Sequence, residues 1–201
     1  MISIIDYGAG NLRSVEKAIK YLGYECEITK DKDVILTSDK IILPGVGAFG
    51  DAMTSLRKEK LENVIFDIVS KDKKMLGICL GMQMMFEESE ETPGVSGLGI
   101  FKGKIKKFNS SFNLKIPQMG WNNINIKKND GIFKDLINPY VYFVHSYYLD
   151  AVDKDSVAAE CSYGVTFDAA YECGNVSLCQ FHPEKSGDAG LKILKNFLEE
   201  K

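Results

Sequence analysis

The chain has 201 residues, a length that suits one domain with a substantial core. Its 25 Lys and Arg against 28 Asp and Glu leave a net charge of −3 with no basic block to track a phosphate backbone, which excludes nucleic acid as a partner. No apolar run approaches the ~20 residues of a membrane span, and the opening Met1-Ile2-Ser3-Ile4-Ile5-Asp6 has neither a charged leader nor a long apolar core, so no membrane contact and a cytoplasmic location are expected.

Residues 2–5 are a short apolar run, and Tyr7-Gly8-Ala9-Gly10-Asn11 turns it into a helical pattern in which Leu12, Val15, Ala18, Ile19 and Leu22 recur and Gly23 stands where a left-handed cap belongs. Gly8-x-Gly10 is not a dinucleotide loop, because the third glycine of that motif would fall at Arg13. Strands are predicted over residues 25–29 and 40–43, the second closed by Pro44-Gly45-Val46-Gly47-Ala48-Phe49-Gly50. Such a glycine-rich loop can present its own N–H groups to an anion or can simply be a tight strand-to-helix turn; the residues alone leave both open. Helices are predicted over 51–58 and 61–71, then a buried strand over 75–78. Strand and helix alternate to this point, the signature of a parallel sheet covered on both sides, whose ligands gather at the carboxyl ends of strands.

Glu87, Glu88, Glu90 and Glu91 read as a solvated acidic loop. Beyond it the chain becomes β-rich, with short strands predicted over 100–108, 122–126, 140–148 and 157–161, and a hairpin of 169–173 and 176–181 around Gly174-Asn175. Leu191, Leu194 and Leu198 mark a closing amphipathic helix.

The chain is organised around Gly77-Ile78-Cys79-Leu80-Gly81-Met82-Gln83, which has the pattern of a nucleophile elbow: a strand stops at a strained turn bearing the nucleophile and a helix begins at once. Gly77 and Gly81 would clear side chains from the turn and the substrate, and the helix N-terminus would favour the thiolate and a developing oxyanion. A cysteine so placed can also be an ordinary core residue. Five cysteines (Cys26, Cys79, Cys161, Cys173, Cys179), odd in number and without Cys-x-x-Cys spacing, argue against a disulfide framework and a zinc site; no metal and no cofactor are expected.

Only His145 and His182 can supply an imidazole. His182 and Glu184, two apart around Pro183, would point the same way on an extended chain. Cys79, His182 and Glu184 thus supply nucleophile, base and orienting acid. His145 follows an apolar run with no acid within three residues and reads as structural.

Taken together, Gly77 to Gln83, Pro44-Gly45-Val46-Gly47 and His182-Pro183-Glu184-Lys185-Ser186 resemble the class I, triad-type glutamine amidotransferases. More narrowly, Asp6-Tyr7-Gly8-Ala9-Gly10-Asn11-Leu12, Met119-Gly120-Trp121-Asn122, Tyr142-Phe143-Val144-His145-Ser146-Tyr147 and the run from Gln180 to Ser186 resemble the glutaminase subunits of imidazole glycerol phosphate synthases, over residues 2–197.

That resemblance implies a flavodoxin-like α/β fold with a central, mostly parallel sheet, flanking helices and an added β-rich part. It implies that Cys79 attacks the side-chain amide of L-glutamine, that His182 moves the protons and that Glu184 orients it, with Leu80 and the Gly45-Val46-Gly47 segment forming the oxyanion hole. That segment would be misoriented until the partner's substrate binds. Gly47, Gln83, Ser146 and Tyr147 would bind glutamine. The ammonia would pass to a (β/α)8-barrel cyclase subunit in a heterodimer, there to make imidazole glycerol phosphate and an aminoimidazole carboxamide ribotide in histidine biosynthesis. Met119, Trp121 and Lys185 would touch that barrel, Lys185 through an ion pair. Gln118 departs from the histidine many relatives carry there. Alternatives are a paralogue that feeds ammonia to a cell-surface sugar pathway, and a non-catalytic subunit or thiol hydrolase on the same scaffold.

Overall fold

The computed structural model describes residues 1–8, 10–109 and 114–200; Ala9 of the Asp6 to Leu12 motif lies outside them. The first half runs β1 (Ile2–Ile5), α1 (Leu12–Tyr21), β2 (Cys26–Thr29), α2 (Lys32–Thr37), β3 (Lys40–Leu43), α3 (Phe49–Lys58), α4 (Glu62–Ser70), β4 (Lys74–Ile78) and α5 (Leu80–Gln83). The second half adds β5 (Glu88–Ser89), β6 (Gly103–Lys107), β7 (Gln118–Asn123), β8 (Asn125–Ile126), β9 (Tyr140–His145), β10 (Tyr147–Ala151), β11 (Val157–Tyr163), β12 (Val165–Cys173), β13 (Val176–Cys179) and α6 (Gly187–Glu199).

One sheet has the order β2-β1-β3-β4-β13-β12-β10-β6-β5, with β11 beside β12 and β8 beside β11. Its first five strands are parallel, including β13 against β4, and the sheet turns antiparallel from β12 onward until the short parallel pair β5 and β6 at the far edge. β7 and β9 pair separately. β1, β3 and β13 are buried along their whole length because helices cover both faces. Alternate side chains of β3 serve two cores: Ile42 packs on the side of Val15, Ile19, Ile193 and Phe197, whereas Ile41 and Leu43 pack on the side of Met53, Leu56, Ile65 and Ile68. Hence α1 and α6 cover one face and α3 and α4 the other.

Several elements depart from the sequence reading. α2 was not foreseen, because Val34-Ile35-Leu36 is a run rather than a periodic stripe; its start is set by Asp31, whose carboxylate accepts from the Asp33 and Val34 N–H groups at 2.9 and 3.2 Å. The strand predicted over 122–126 is broken at Ile124 into β7 and β8, which join different sheets. The strand over 140–148 is likewise broken at Ser146, because β9 pairs with β7 and β10 with β6. The strand over 100–108 begins only at Gly103.

The acidic stretch is not merely solvated. Glu88 and Ser89 form an edge strand, and the carboxylates of Glu87, Glu90 and Glu91 accept the backbone N–H groups of Gly103, Lys107 and Phe49 at 3.1, 2.7 and 2.8 Å. Its charges satisfy donors that the fold would otherwise leave open, including one at the start of α3.

Candidate active site

Parallel pairing of β3, β4 and β13 brings three chain exits to the same end of the sheet: Leu43 sits opposite Gly77, and Ile78 opposite Cys179. Pro44, Cys79 and Gln180 therefore emerge side by side, which is what brings Cys79 and Gln180 together although they are 101 residues apart.

Cys79 adopts φ 54° and ψ −108°, a left-handed conformation rare for a side chain with Cβ and costing roughly 1–3 kcal/mol. Its N–H donates to the Cys179 carbonyl at 2.7 Å, and its own carbonyl accepts from Met82 and Gln83, so the elbow is held from both sides. The flanking glycines clear the turn, as expected, and also the neighbouring strand: a Cβ on Gly77 would fall 3.1 Å from the Gly81 carbonyl oxygen in the turn and 2.6 Å from the end of the Leu178 side chain, and one on Gly81 would fall 1.9 Å from the Leu43 carbonyl oxygen of β3. α5 has only four residues, so its dipole is a smaller aid to the thiolate than a full helix would be.

His182 and Glu184 meet, though not on an extended strand: residues Pro183–Lys185 form a 3-10 turn, and Nδ1 of His182 donates to Oε1 of Glu184 at 2.8 Å. The imidazole is anchored further by its backbone, whose N–H donates to Tyr142 and whose carbonyl accepts from Ser186 Oγ at 2.6 Å. Burial opposes charge on this ring, but the Cys79 sulfur and the Glu184 carboxylate outweigh it and lift His182 to about 10. Nε2 makes no hydrogen bond of ordinary length and angle, so we read its contact with the sulfur as electrostatic. Asn11, to which the sequence reading gave no separate role, donates from Nδ2 to the same Glu184 oxygen at 3.2 Å.

The oxyanion segment faces the other way. The Leu80 N–H points at the Gly45 carbonyl at 3.4 Å. Because the trans peptide sets N–H opposite C=O, the Val46 N–H points away from Leu80, and the two predicted donors do not converge in this conformation. The backbone here has little room: a Cβ on Gly45 would lie 2.7 Å from both the Gly81 nitrogen and the Leu80 Cβ. Gly47 takes φ 101°. Glycines on both sides of Val46 permit the intervening peptides to turn over.

A cleft brings together Val46, Gly47, Cys79, Leu80, Gln83, Ser146, Tyr147 and His182 from the sequence-derived set. Gly45 and Glu184 do not line it, and the Glu184 side chain is 1% exposed. The break at Ser146 is what turns Ser146 and Tyr147 toward the cleft. Glu91, Pro117, Val144 and His145 line it as well and were missed; a cleft lining drawn from loops far apart in sequence leaves no local pattern. Both N–H groups of the Gln83 amide are engaged, by the Tyr147 carbonyl at 3.1 Å and by Gln180 Oε1 at 2.9 Å, so Gln83 offers the cleft only its carbonyl oxygen.

His145 is structural, as expected. Burial pushes it down to about 4, and its Nδ1 donates to the Tyr147 carbonyl at 2.8 Å. Its Nε2, then an acceptor, faces Gln118 Oε1 at 3.1 Å, and because two acceptors cannot pair we read the Gln118 amide turned over, with its NH2 toward the ring.

On the outer surface Met119 and Trp121 are 57% and 56% exposed on β7. Trp121 meets Tyr142 edge-on at 6.2 Å, and the exposed Lys185 lies over the same Tyr142 ring at 5.9 Å. Among the described residues Lys185 has no ion-pair partner. Trp121 and Lys185 thus share the Tyr142 ring, Met119 lies two residues before Trp121 on β7, and Lys185 directly follows Glu184.

A family model described as glutamine amidotransferase class-I matches residues 3–201. An imidazole glycerol phosphate synthase subunit HisH from Caldanaerobacter subterraneus subsp. tengcongensis is 52% identical over 99% of this chain and 98% of its own. The chloroplastic imidazole glycerol phosphate synthase hisHF of Arabidopsis thaliana is 40% identical over 100% of this chain but only 34% of its own length. Among solved structures, PurLQS from Thermotoga maritima superposes with a TM-score of 0.76 at 23% identity, covering 98% of this chain and 96% of that one, a likeness of fold alone.

Proposed function

The chain belongs to the class-I glutamine amidotransferase family, with the fold that family implies, and from that premise we propose that it is the glutaminase subunit of an imidazole glycerol phosphate synthase. It hydrolyses L-glutamine to glutamate and ammonia. The observation that carries this reading is the meeting of Cys79, His182 and Glu184 at the ends of two adjacent parallel strands, with the His182–Glu184 bond at 2.8 Å.

The Cys79 thiolate attacks the δ-carbon of glutamine, and the protonated imidazole of His182 gives its proton to the departing nitrogen, which leaves as ammonia. Water then attacks the glutamyl thioester while His182 takes a proton from it, and glutamate leaves as the thiolate re-forms. Glu184 holds the Nδ1 proton and so keeps Nε2 toward the sulfur. Both tetrahedral intermediates place negative charge on the former carbonyl oxygen. Leu80 N–H can accept that charge only after the Gly45 carbonyl withdraws, and turning over the Gly45–Val46 peptide would at once free Leu80 and deliver the Val46 N–H. Gly47, Gln83, Ser146 and Tyr147 hold the substrate, with Gln83 accepting a hydrogen from it.

A (β/α)8 cyclase in a heterodimer consumes the ammonia, producing imidazole glycerol phosphate and aminoimidazole carboxamide ribotide in histidine biosynthesis, and it docks on Met119, Trp121 and Lys185. The names of the relatives support this, and so does the plant relative, in which sequence like this chain occupies about a third of a longer polypeptide. The exposed aromatic and Met side chains beside a cation are what an interface core favours. A cytoplasmic location fits the five free cysteines and the lack, among the described residues, of any helix long and apolar enough to cross a membrane.

Glutamate release by the purified chain tests the proposal, measured alone and with the histidine-pathway cyclase of its organism and that cyclase's nucleotide ligand. A low basal rate rising strongly with partner and ligand is expected; no rise from a folded chain with reactive Cys79 would move the ammonia to another acceptor, such as the sugar-pathway paralogue.

A further inference from the structure

Gln180 leaves β13 one residue after Cys179 and two before His182, and it is completely buried. Its backbone N–H is bound to the Ala169 carbonyl at 2.9 Å, so the residue is rooted in the sheet. Its side chain lies between the substrate side of the cleft and the nucleophile: Oε1 is 2.9 Å from Gln83 Nε2, and Nε2 is 3.6 Å from the Cys79 sulfur.

The direction of these bonds is dictated from their far end. The Tyr147 carbonyl can only accept, and it does so from His145 Nδ1 at 2.8 Å and from Gln83 at 3.1 Å. The Gln83 atom facing it must therefore be the NH2 nitrogen. That same nitrogen faces Gln180, whose facing atom must be the oxygen. What remains at the sulfur is the Gln180 NH2. Turning Gln180 over would set donor against donor, and turning Gln83 over would set its oxygen against the Tyr147 carbonyl and Gln180 Oε1, at a cost of about 1–3 kcal/mol for each unmet buried group.

We propose that Gln180 holds the nucleophile as its anion: its amide, locked by Gln83 and Tyr147, donates an N–H to the Cys79 sulfur, favours the thiolate over the thiol and keeps the sulfur aimed at the cleft. This rests on the reading of Cys79 as nucleophile and deepens it. A donor at this distance is worth far more to a charged sulfur than to a neutral one, and burial of the pair keeps solvent from replacing it. His182 supplies the counter-charge from one side and Gln180 a neutral donor from another. Because Gln83 sits in the same chain of bonds, substrate that draws on Gln83 is felt at the sulfur.

The test uses the purified chain without glutamine or partner. Alkylation of Cys79 by iodoacetamide, followed at that residue by mass spectrometry from about pH 5 to about pH 10, is compared for the wild type, Gln180→Leu and Gln180→Glu, with thermal melts to verify folding. The midpoint should rise by about one pH unit or more in Gln180→Leu, a roughly ten-fold loss of thiolate on the lower limb. It should rise further in Gln180→Glu, which keeps the acceptor for Gln83 but turns an oxygen to the sulfur. Should neither variant fold, the side-chain amide resonances of 15N-glutamine-labelled wild type decide the matter. The Gln180 signal must shift with the midpoint of Cys79 alkylation and stay flat in Cys79→Ala.

Unmoved midpoints in folded variants, or a Gln180 signal indifferent to Cys79, would overturn the proposal. A shifted midpoint in a chain that releases no glutamate with any partner would support the role of Gln180 while sinking the glutaminase reading, so the two failures are distinguishable.

Discussion

At the end of β4 hydrogen bonds hold the nucleophile and the imidazole in one arrangement: the Cys79 backbone is pinned to Cys179, and His182 is bonded to Glu184. One strand away, at the end of β3, the Gly45 carbonyl occupies the Leu80 N–H that an oxyanion would need. In the proposed mechanism the groups for proton transfer are thus already in place, whereas charge stabilisation waits on one peptide. The rigid half is made of strand ends joined by side-chain hydrogen bonds across the sheet. The half that can turn is a loop flanked by glycine and held by a single 3.4 Å backbone contact. A site divided in this way can keep its nucleophile ready while wasting little glutamine, because removing an oxyanion donor typically costs on the order of 10²–10³ in rate.

Breaking the rigid half has the largest effect. Cys79→Ala should lower glutamine-dependent synthesis by the complex on the order of 10⁴-fold or more, while synthesis from added ammonia by the cyclase persists; both rates come from one product assay. Retained glutaminase would remove Cys79 from the mechanism.

Within that half, His182→Asn should cost roughly 10²–10⁴-fold in kcat, and Glu184→Gln less, since orientation is a smaller part than proton transfer. Steady-state kinetics of the two variants with the partner bound ranks them, and equal or reversed effects would contradict the assignment of roles.

Gly47→Ala separates the halves. Gly47 takes φ 101° with open space where a Cβ would go, so the substitution strains the loop backbone without touching the elbow, and partner-stimulated turnover should fall about 10²-fold while alkylation of Cys79 stays near the wild-type rate. A parallel loss of both would mean that the segment also shapes the nucleophile.

The smallest effects are on stability against pH, and the two histidines act in opposite directions. His182 is raised when folded, so its pairing contributes in full below about 6.5 and is lost as the pH rises through about 10. His145 is lowered, so its burial as a neutral ring contributes above about 6.5 and is lost as the pH falls through about 4, a change of roughly 3 kcal/mol. Thermal melts across this range should show losses on both sides of neutrality, with His182→Asn flattening the alkaline limb and His145→Gln the acid limb. An unchanged acid limb in His145→Gln would mean that ring is not held neutral by burial.

Much of the site is legible because its chemistry is local in sequence. The elbow at Cys79 is a seven-residue pattern, and His182 and Glu184 are only two apart, so their meeting survives the correction from extended strand to 3-10 turn. Asn11, Glu91 and Gln180 were harder to assign, because each reaches the site through a partner distant in sequence: Glu184, the start of α3, and Cys79. The fold followed the same division. The helix containing Val15, Ala18 and Ile19 and the hairpin at Gly174-Asn175 appear where periodicity and turn residues put them. The breaks at Ile124 and Ser146 do not, since a strand's change of partner is decided by which neighbour has open hydrogen bonds rather than by its own residues.

Residue order was enough to establish the strand and helix alternation and to single out the proposed nucleophile, base and acid, because glycine spacing, apolar period and short-range carboxylate placement act over a few residues. Tertiary structure decided why Gly77 and Gly81 must be glycine, which way the Gly45 carbonyl points, and how Gln83 and Gln180 are oriented. Those facts depend on the approach of β3 and β13 to β4 within hydrogen-bond distance, and only the packed sheet brings them there.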